Sequence, residues 1–383
     1  YYDCLVYASQ LMELVPKYAS KGYSTIESGA GDYTKTLFKV DQLYRKFIWS
    51  YRETNQNRVL NQLYLKIEKV YSNEWLLTIN NQWQTTIDKT NGWPFKVQNS
   101  QQSFFKTHIQ PFVSKNQKVF VVISDALRYE CAEELTTIIQ NENRYQANIE
   151  SMIGSLPSYT QLGMASILPR KDTLTLKEGS DLVLVDGVPA SGIDGRGKIL
   201  DLNSGCRATA IQAEKFMRMN SSTEGRTFAK SYDVIYIYSN LIDKTGDDKT
   251  SEDRVFEAVQ EELENLVDLI KKIAAVNGNS ILITSDHGFI YQHHDIDESD
   301  FSKSNYSGDV WKSNRRFVIG SSLETDDTCK SFNGEDIGLQ QGVDVLIPKS
   351  INRLRVQGAG SRFVHGGATL QEVTIPLIKI SAH

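Results

Sequence analysis

Three apolar runs in this chain each end in, or lead straight to, a carboxylate. Residues 119–124 run into Asp125, residues 234–238 are followed by Asp243, and residues 281–285 run into Asp286 with His287 beside it. Near-continuous apolar runs suit strands covered on both faces, as in a parallel sheet. Ligands of such sheets gather outside the carboxyl ends of the strands. Acids far apart in sequence are therefore expected to converge in space. Several carboxylates and an imidazole in one crevice repel one another unless cations sit among them. The pattern predicts an α/β fold, a mostly parallel sheet flanked by helices, with a metal site at the strand ends.

The 383 residues suit one large domain with a smaller one, or two of moderate size. With 40% hydrophobic and 23% charged residues the chain can bury a sizeable core. A net charge of -5 argues against a surface broadly committed to nucleic acid, while leaving room for a local basic groove. Cys4, Cys131, Cys206 and Cys329 are scattered, without a C-x-x-C pair, which predicts reduced structural thiols and a cytoplasmic location. No apolar run is long enough to span a bilayer and no signal peptide is visible, so no membrane partner is expected. The chain starts at Tyr1 rather than Met, and a fragment of a longer protein is expected.

Residues 1–104 differ from the rest, being rich in Tyr, Trp, Gln and Asn. Segments 41–51 and 59–77 look helical, the second with apolar residues near helical spacing, and predict a small helical module. Its aromatic rings are expected in packing rather than as a stacking platform for bases. The turn-rich stretch 90–103 marks a boundary, and residues 105–383 then read as α/β. A helix is expected after Asp125 and another opening near Pro157. Strand 181–185 and hairpins at Asp186-Gly187 and Gly195-Arg196-Gly197 are expected next. A long helix over 250–276 has Ser251 as its N-cap candidate. Later strands are expected at 317–320, 343–347 and 373–380.

Asp286-His287-Gly288 is the sharpest short motif, because a carboxylate and an imidazole at a strand end can ligate one ion or two neighbouring ones. Asp243 and Asp247 flank a glycine turn and read either as ligands or as a solvated acidic loop. His365, followed by Gly366 and Gly367, reads as a ligand carried by a tight turn or as an ordinary hydrogen-bonded histidine. His293 and His294 have no apolar element to position them, and His108 and His383 have no supporting context. Thr160 is the nucleophile candidate, at the expected opening of a helix, where a base or a metal must deprotonate it. Plain helix capping is the alternative. Arg128 either reaches a bound oxyanion or pairs with a Glu of its own helix, such as Glu133.

These blocks, in this order, resemble the alkaline phosphatase superfamily. The closer resemblance is to the PglZ family of BREX-type bacteriophage defence. It is carried by residues 122–130, 156–165, 168–169, 242–247, 285–289, 365–367 and 371–376, and spans roughly residues 105–383. The resemblance implies an alkaline phosphatase-like core and two divalent metal ions, zinc first. Asp125, Thr160, Asp286 and His287 would surround one ion, and Asp243, Asp247 and His365 the other. Many superfamily members have His where Asp247 stands. A carboxylate makes that site harder and keeps manganese or magnesium open. Ser155-Leu156-Pro157-Ser158 faintly resembles a sulfatase signature, which would make Ser155 the nucleophile. That signature wants an arginine where Tyr159 stands, so Thr160 is preferred. Arg128 or backbone N–H groups would hold the equatorial phosphoryl oxygens.

The resemblance thus implies a metal-dependent phosphoesterase of a phage-defence system, with other BREX proteins as partners and a phosphorylated substrate, monoester or diester. Lys349, Arg353, Arg355 and Arg362 lie in a stretch without acids before His365 and suit either a DNA phosphodiester or a solvated strand face. A non-catalytic, metal-binding assembly component is the competing reading. A phosphomutase is a third, without an identifiable cap.

Overall fold

A computed structural model describes residues 1–19, 22–54, 57–296, 301–302, 305–356 and 360–382. His383 lies outside the described residues. The centre is a six-stranded sheet in the order Tyr145–Ile153, Thr374–Ala382, Ser280–Thr284, Val119–Ser124, Val234–Ser239, Ala208–Gln212. Thr374–Ala382 pairs antiparallel with both neighbours, and the other pairings are parallel. The apolar runs that led the sequence reading are the middle of this sheet. Val119–Ser124 is buried at every position, and Val234–Ser239 at all but its last. Helices Tyr129–Gln140, Gly192–Asn203 and Val255–Ala275 accompany these strands.

The fold is α/β with a mostly parallel sheet, as expected, and its local details depart in instructive ways. Asp186 and Gly187 do turn a hairpin, both at positive φ, between Val183–Val185 and Val188–Pro189. Gly195-Arg196-Gly197 instead lies inside the helix Gly192–Asn203. There a Cβ on Gly195 would press on the Pro189 carbonyl, so close packing, not a turn, accounts for that glycine. The long helix begins at Val255, after a single 3-10 turn over Glu252–Arg254. Ser251 does not cap it, because its hydroxyl donates to the Thr245 carbonyl. A four-stranded antiparallel sheet, Tyr306–Ser313, Val318–Thr325, Asp344–Pro348 and Cys329–Asn333, stands beside the core. Only its Val318 and Asp344 strands were legible in the sequence.

The N-terminal region has more helix than its periodicity predicts: Tyr2–Tyr18, a run from Ile26 to Glu53, and another from Asn57 to Lys89. Tyr44, Tyr71, Trp75 and Trp83 are buried, so these rings pack rather than present a face to bases. One continuous buried cluster contains residues of these helices and of the central sheet. Polar groups cross as well. Asp41 accepts from Tyr33, Tyr71, Trp75 and Gln371, and the Trp83 indole donates to the Ala368 carbonyl at 2.7 Å. None of the helices among the described residues is long and apolar enough to cross a membrane.

Candidate metal centre

Each of the proposed ligands leaves the end of a structural element. Asp125 follows the Val119 strand, and the next residue, Ala126, turns away at a φ of 64°. The Ala126 N–H donates to Asp286 Oδ1 at 3.1 Å, tying the ends of two neighbouring strands together. Asp286 and His287 follow Ser280–Thr284. Gly288 comes next because a Cβ there would collide with the Gln371 carbonyl. Asp243 and Asp247 sit on a helix, Leu241–Asp247, rather than on a glycine turn, and a spacing of four puts both carboxylates on one face. Gly246 in that helix abuts the Phe363 ring, and Phe363–Val364 delivers His365.

The side chains converge. His287 Nε2 lies 3.5 Å from Asp125 Oδ1, 3.3 Å from Asp286 Oδ2, 3.8 Å from Asp243 Oδ1 and 3.1 Å from Thr160 Oγ1. His365 Nε2 lies 3.6 Å from Asp243 Oδ1 and 3.4 Å from Asp247 Oδ1. The two imidazoles stack with centroids 3.9 Å apart. His287 Nδ1 is 2.9 Å from the Gly288 carbonyl, which only accepts, so Nδ1 carries the hydrogen and Nε2 presents its lone pair. Asp125 Oδ1, Asp286 Oδ2 and Asp243 Oδ1 are buried without any hydrogen-bond partner. Buried carboxylate oxygens are ordinarily satisfied. Donors bound at about 2.1 Å to a tetrahedral ion lie about 3.4 Å apart, the spacing these atoms have. On both counts the residues fit divalent cations.

The electrostatics agree. Burial, then the neighbouring Asp243 and Asp286, pushes Asp125 well above the usual carboxylate range. Burial likewise raises Asp243 to about 7, against the pull of His365. Burial lowers His287 to about 4. His365 goes the other way. Burial disfavours its charge, but Asp247 and then Asp243 outweigh that and lift it to about 9. Without cations the centre is a cluster of frustrated charges, of the kind found at functional sites.

The remaining candidates separate cleanly. Thr160 is the first residue of the short helix Thr160–Ser166 and faces His287. Ser155, the alternative, is buried with its hydroxyl 2.7 Å from that of Ser166. Arg128 does not join the cluster. It is fully buried, 2.6 Å from Glu130 and 4.5 Å over the Phe289 ring. Charge near a strand end does not fix direction, and Glu130, which also binds Arg45 from the N-terminal helices at 3.0 Å, draws Arg128 the other way. His294 pairs with Glu68 at 2.6 Å, and His293 Nδ1 meets the Tyr291 hydroxyl. The basic stretch is largely committed elsewhere: Lys349 to Asp88, Arg353 to the Ser361 carbonyl and Arg362 to Asp295.

Four residues escaped the sequence reading. Arg196 is 9% exposed, lies 4.8 Å over the Tyr238 ring, and opposes the raised pKa of Asp125. Gln101 accepts from the Ser155 N–H and donates to the Asp286 carbonyl at 2.7 Å. Arg316 and Glu372 form a fully buried pair, with Glu372 also accepting from the Gly367 N–H and from Thr369. That pair fixes the turn behind His365. A groove of about 540 Å³ opens beside Thr160, Asp247 and His365, with Lys249, Lys312, Tyr159 and Phe317 on its walls.

Comparison with known proteins places the chain. The chain is 36% identical over 394 residues to the alkaline phosphatase-like protein BrxZ of Escherichia coli O9:H4, covering 100% of this chain and 45% of that protein. It is 35% identical over 387 residues to the alkaline phosphatase-like protein PglZ of Bacillus cereus, covering 99% and 44%. The chain thus spans less than half the length of these curated relatives. Among solved structures, human ectonucleotide pyrophosphatase/phosphodiesterase 5 aligns over 69% of this chain and 88% of its own, with a TM-score of 0.43 and 11% identity. Phosphonoacetate hydrolase of Sinorhizobium meliloti aligns over 69% and 90%, with a TM-score of 0.40 and 10% identity. Residues 104–380 match the family described as the BREX system PglZ alkaline phosphatase-like domain, and the chain belongs to that PglZ family.

Proposed function

We propose that this chain is a metal-dependent phosphoesterase working within a BREX defence system, with Thr160 as its nucleophile. One observation carries the reading: three buried, unpartnered carboxylate oxygens surround His287 Nε2, with the Thr160 hydroxyl 3.1 Å away. Asp125, Thr160, Asp286 and His287 would hold one divalent ion, and Asp243, Asp247 and His365 the other. Zinc suits the imidazoles, while the carboxylate-rich second set also suits manganese or magnesium. When bound, such ions supply Lewis-acid charge to phosphoryl oxygens and make a hydroxyl acidic enough to attack.

The chain's own residues set the course of the reaction. Thr160 Oγ would give up its proton to water and form the new bond to phosphorus as the ester oxygen departs in line and takes up a proton from water. The phosphorylated threonine, still carrying its second ester group where the substrate is a diester, would then be hydrolysed by water. Arg196, whose guanidinium lies 4.8 Å over the Tyr238 ring and whose charge acts on Asp125, takes the role first given to Arg128 and holds an equatorial oxygen. The groove with Lys249, Lys312 and the Tyr159 and Phe317 rings gives a second ester group a place, which favours a diester over a monoester. DNA is one such substrate, and other BREX proteins are the expected partners. The test compares p-nitrophenyl phosphate, its bis-ester and single-stranded DNA, with metal content measured by elemental mass spectrometry. Bis-ester hydrolysis that disappears in Thr160→Ala supports the proposal. A metal-loaded protein inert on all three, with Thr160→Ala protecting cells as well as wild type, would replace it with a non-catalytic assembly role.

A further inference from the structure

At the far end of the Thr160 helix lies a second cleft, of about 580 Å³, sharing no lining residue with the groove at the metal centre. Seven helical residues separate the two ends, so they are roughly 10 Å apart along the helix axis. The volume is that of an ordinary small-ligand site. Its charge is one-sided. Lys96, Lys106, Arg170 and Lys171 line it, with Asp172 as the acid among the lining residues. The chain as a whole carries -5, so this concentration runs against the general balance.

The cations are also uncompensated. Arg170 is partly buried, and its guanidinium donates to neutral oxygens: the Ser166 carbonyl at 3.2 Å, the Gln102 carbonyl at 2.7 Å and the Gln102 side chain at 3.3 Å. No carboxylate pairs with it, nor with Lys96, Lys106 or Lys171, among the described residues. Asp186, the acid that acts on Arg170 through space, is engaged by the backbone N–H groups of Lys171 and Asp172 and by Asn203. A partly buried guanidinium whose hydrogen-bond partners are all neutral keeps an unbalanced charge. Burial accordingly pulls Arg170 down to about 10. An anion in the cleft would balance that charge. The partly exposed Phe95 ring and the Phe105 ring stand on the wall beside the cations, which adds an aromatic surface to a phosphate-binding one.

We propose that this cleft binds a free nucleoside polyphosphate, its phosphates among Lys106, Arg170 and Lys171 and its base against Phe95. The site is separate from the metal centre, and the proposal does not depend on the activity assigned there. Arg170 holds the Ser166 carbonyl at the end of the helix whose first residue is Thr160. A ligand that draws the guanidinium away therefore loads the same helix that carries the nucleophile.

Isothermal titration of the purified, metal-loaded Thr160→Ala chain with the ATP analogue AMP-PNP tests this, the substitution removing the nucleophile proposed to act on the analogue's α–β anhydride. Saturable binding is expected, weakened at least tenfold in the exposed-residue double variant Lys106→Gln/Lys171→Gln and unchanged in Lys312→Gln, which alters the groove at the metal centre. Thermal melts of both variants guard against misfolding. Absence of saturable binding at 1 mM, or equal binding in the double variant, overturns the site. Inorganic phosphate binding as tightly as AMP-PNP overturns the nucleoside part. A short oligodeoxynucleotide that binds where AMP-PNP does not would give the cleft to nucleic acid instead.

Discussion

Replacing Gly163 by alanine should damage the proposed chemistry without touching a ligand. Gly163 lies in the nucleophile helix and rests on the backbone of Asp286. A Cβ built there would stand 2.7 Å from the Asp286 carbonyl carbon and 2.8 Å from its Cβ, and closer still to its carbonyl oxygen. Ordinary contact begins near 3.4 Å, so helix and strand end must part by about 0.7 Å or more. Neither side yields easily. Gln101 holds the Asp286 carbonyl at 2.7 Å, and the Gly163 N–H donates to the Tyr159 carbonyl at 2.9 Å. The separation opens between Thr160 and His287, now 3.1 Å apart. Misplacing a reacting group by about 1 Å can lower turnover about a hundredfold, so kcat/KM on the bis-ester should fall on the order of ten- to a hundredfold. Overpacking should also cost about 1–3 kcal/mol in urea unfolding. Gly31→Ala is the control, since a Cβ there meets nothing within 4 Å. Gly163→Ala with kcat/KM within threefold of wild type, and metal affinity intact, would refute the claim that this contact sets the spacing of nucleophile and ligand.

Four further outcomes are expected. Metal binding should release protons below pH 9, because His365 is lifted to about 9 and must lose its proton to ligate, so affinity should rise as pH increases toward 9. Titrations in buffers of different ionisation enthalpy measure this, and identical heats would count against it. In the metal-free chain the sign is opposite for stability: the raised His365 contributes fully below its ordinary value of 6.5 and its contribution is lost as pH climbs through about 9. Arg316→Met should destabilise the fold by about 3–5 kcal/mol in urea unfolding, because it strands the buried Glu372 carboxylate, and should weaken metal affinity through the turn at Gly367. Arg196→Lys should lower kcat with little change in melting temperature, whereas Arg128→Lys should lower the melting temperature first. The reverse order would return the oxyanion role to Arg128.

The proposed ligands were legible in sequence where an apolar run marking a buried strand leads into them. Asp125, Asp286 and His287 are the clearest cases. Asp243 and Asp247 were visible as a pair but not as a helical face, since Gly246 reads as a turn residue until the Phe363 ring against it is known. Arg196 could not be found because the two glycines around it imitate a hairpin, while one of them serves helix packing. Arg316 and Glu372 were invisible because a buried ion pair over a separation of 56 residues leaves no local pattern. Arg128 was assigned toward the site on proximity to Asp125, when its orientation is decided by Glu130 and by Arg45 from 85 residues earlier.

Gln101 stands just ahead of residue 104, where the match to the family begins. A single amide there clasps the loop before the nucleophile helix on one side and the carbonyls of Ser285 and Asp286 on the other. Trp93 fastens the same region through the Gly154 carbonyl at 2.7 Å. A shortened chain cut at the family border would thus keep every proposed ligand and Thr160, yet forfeit a clasp between the elements that carry them. The border drawn by sequence similarity is not the mechanical border of the centre.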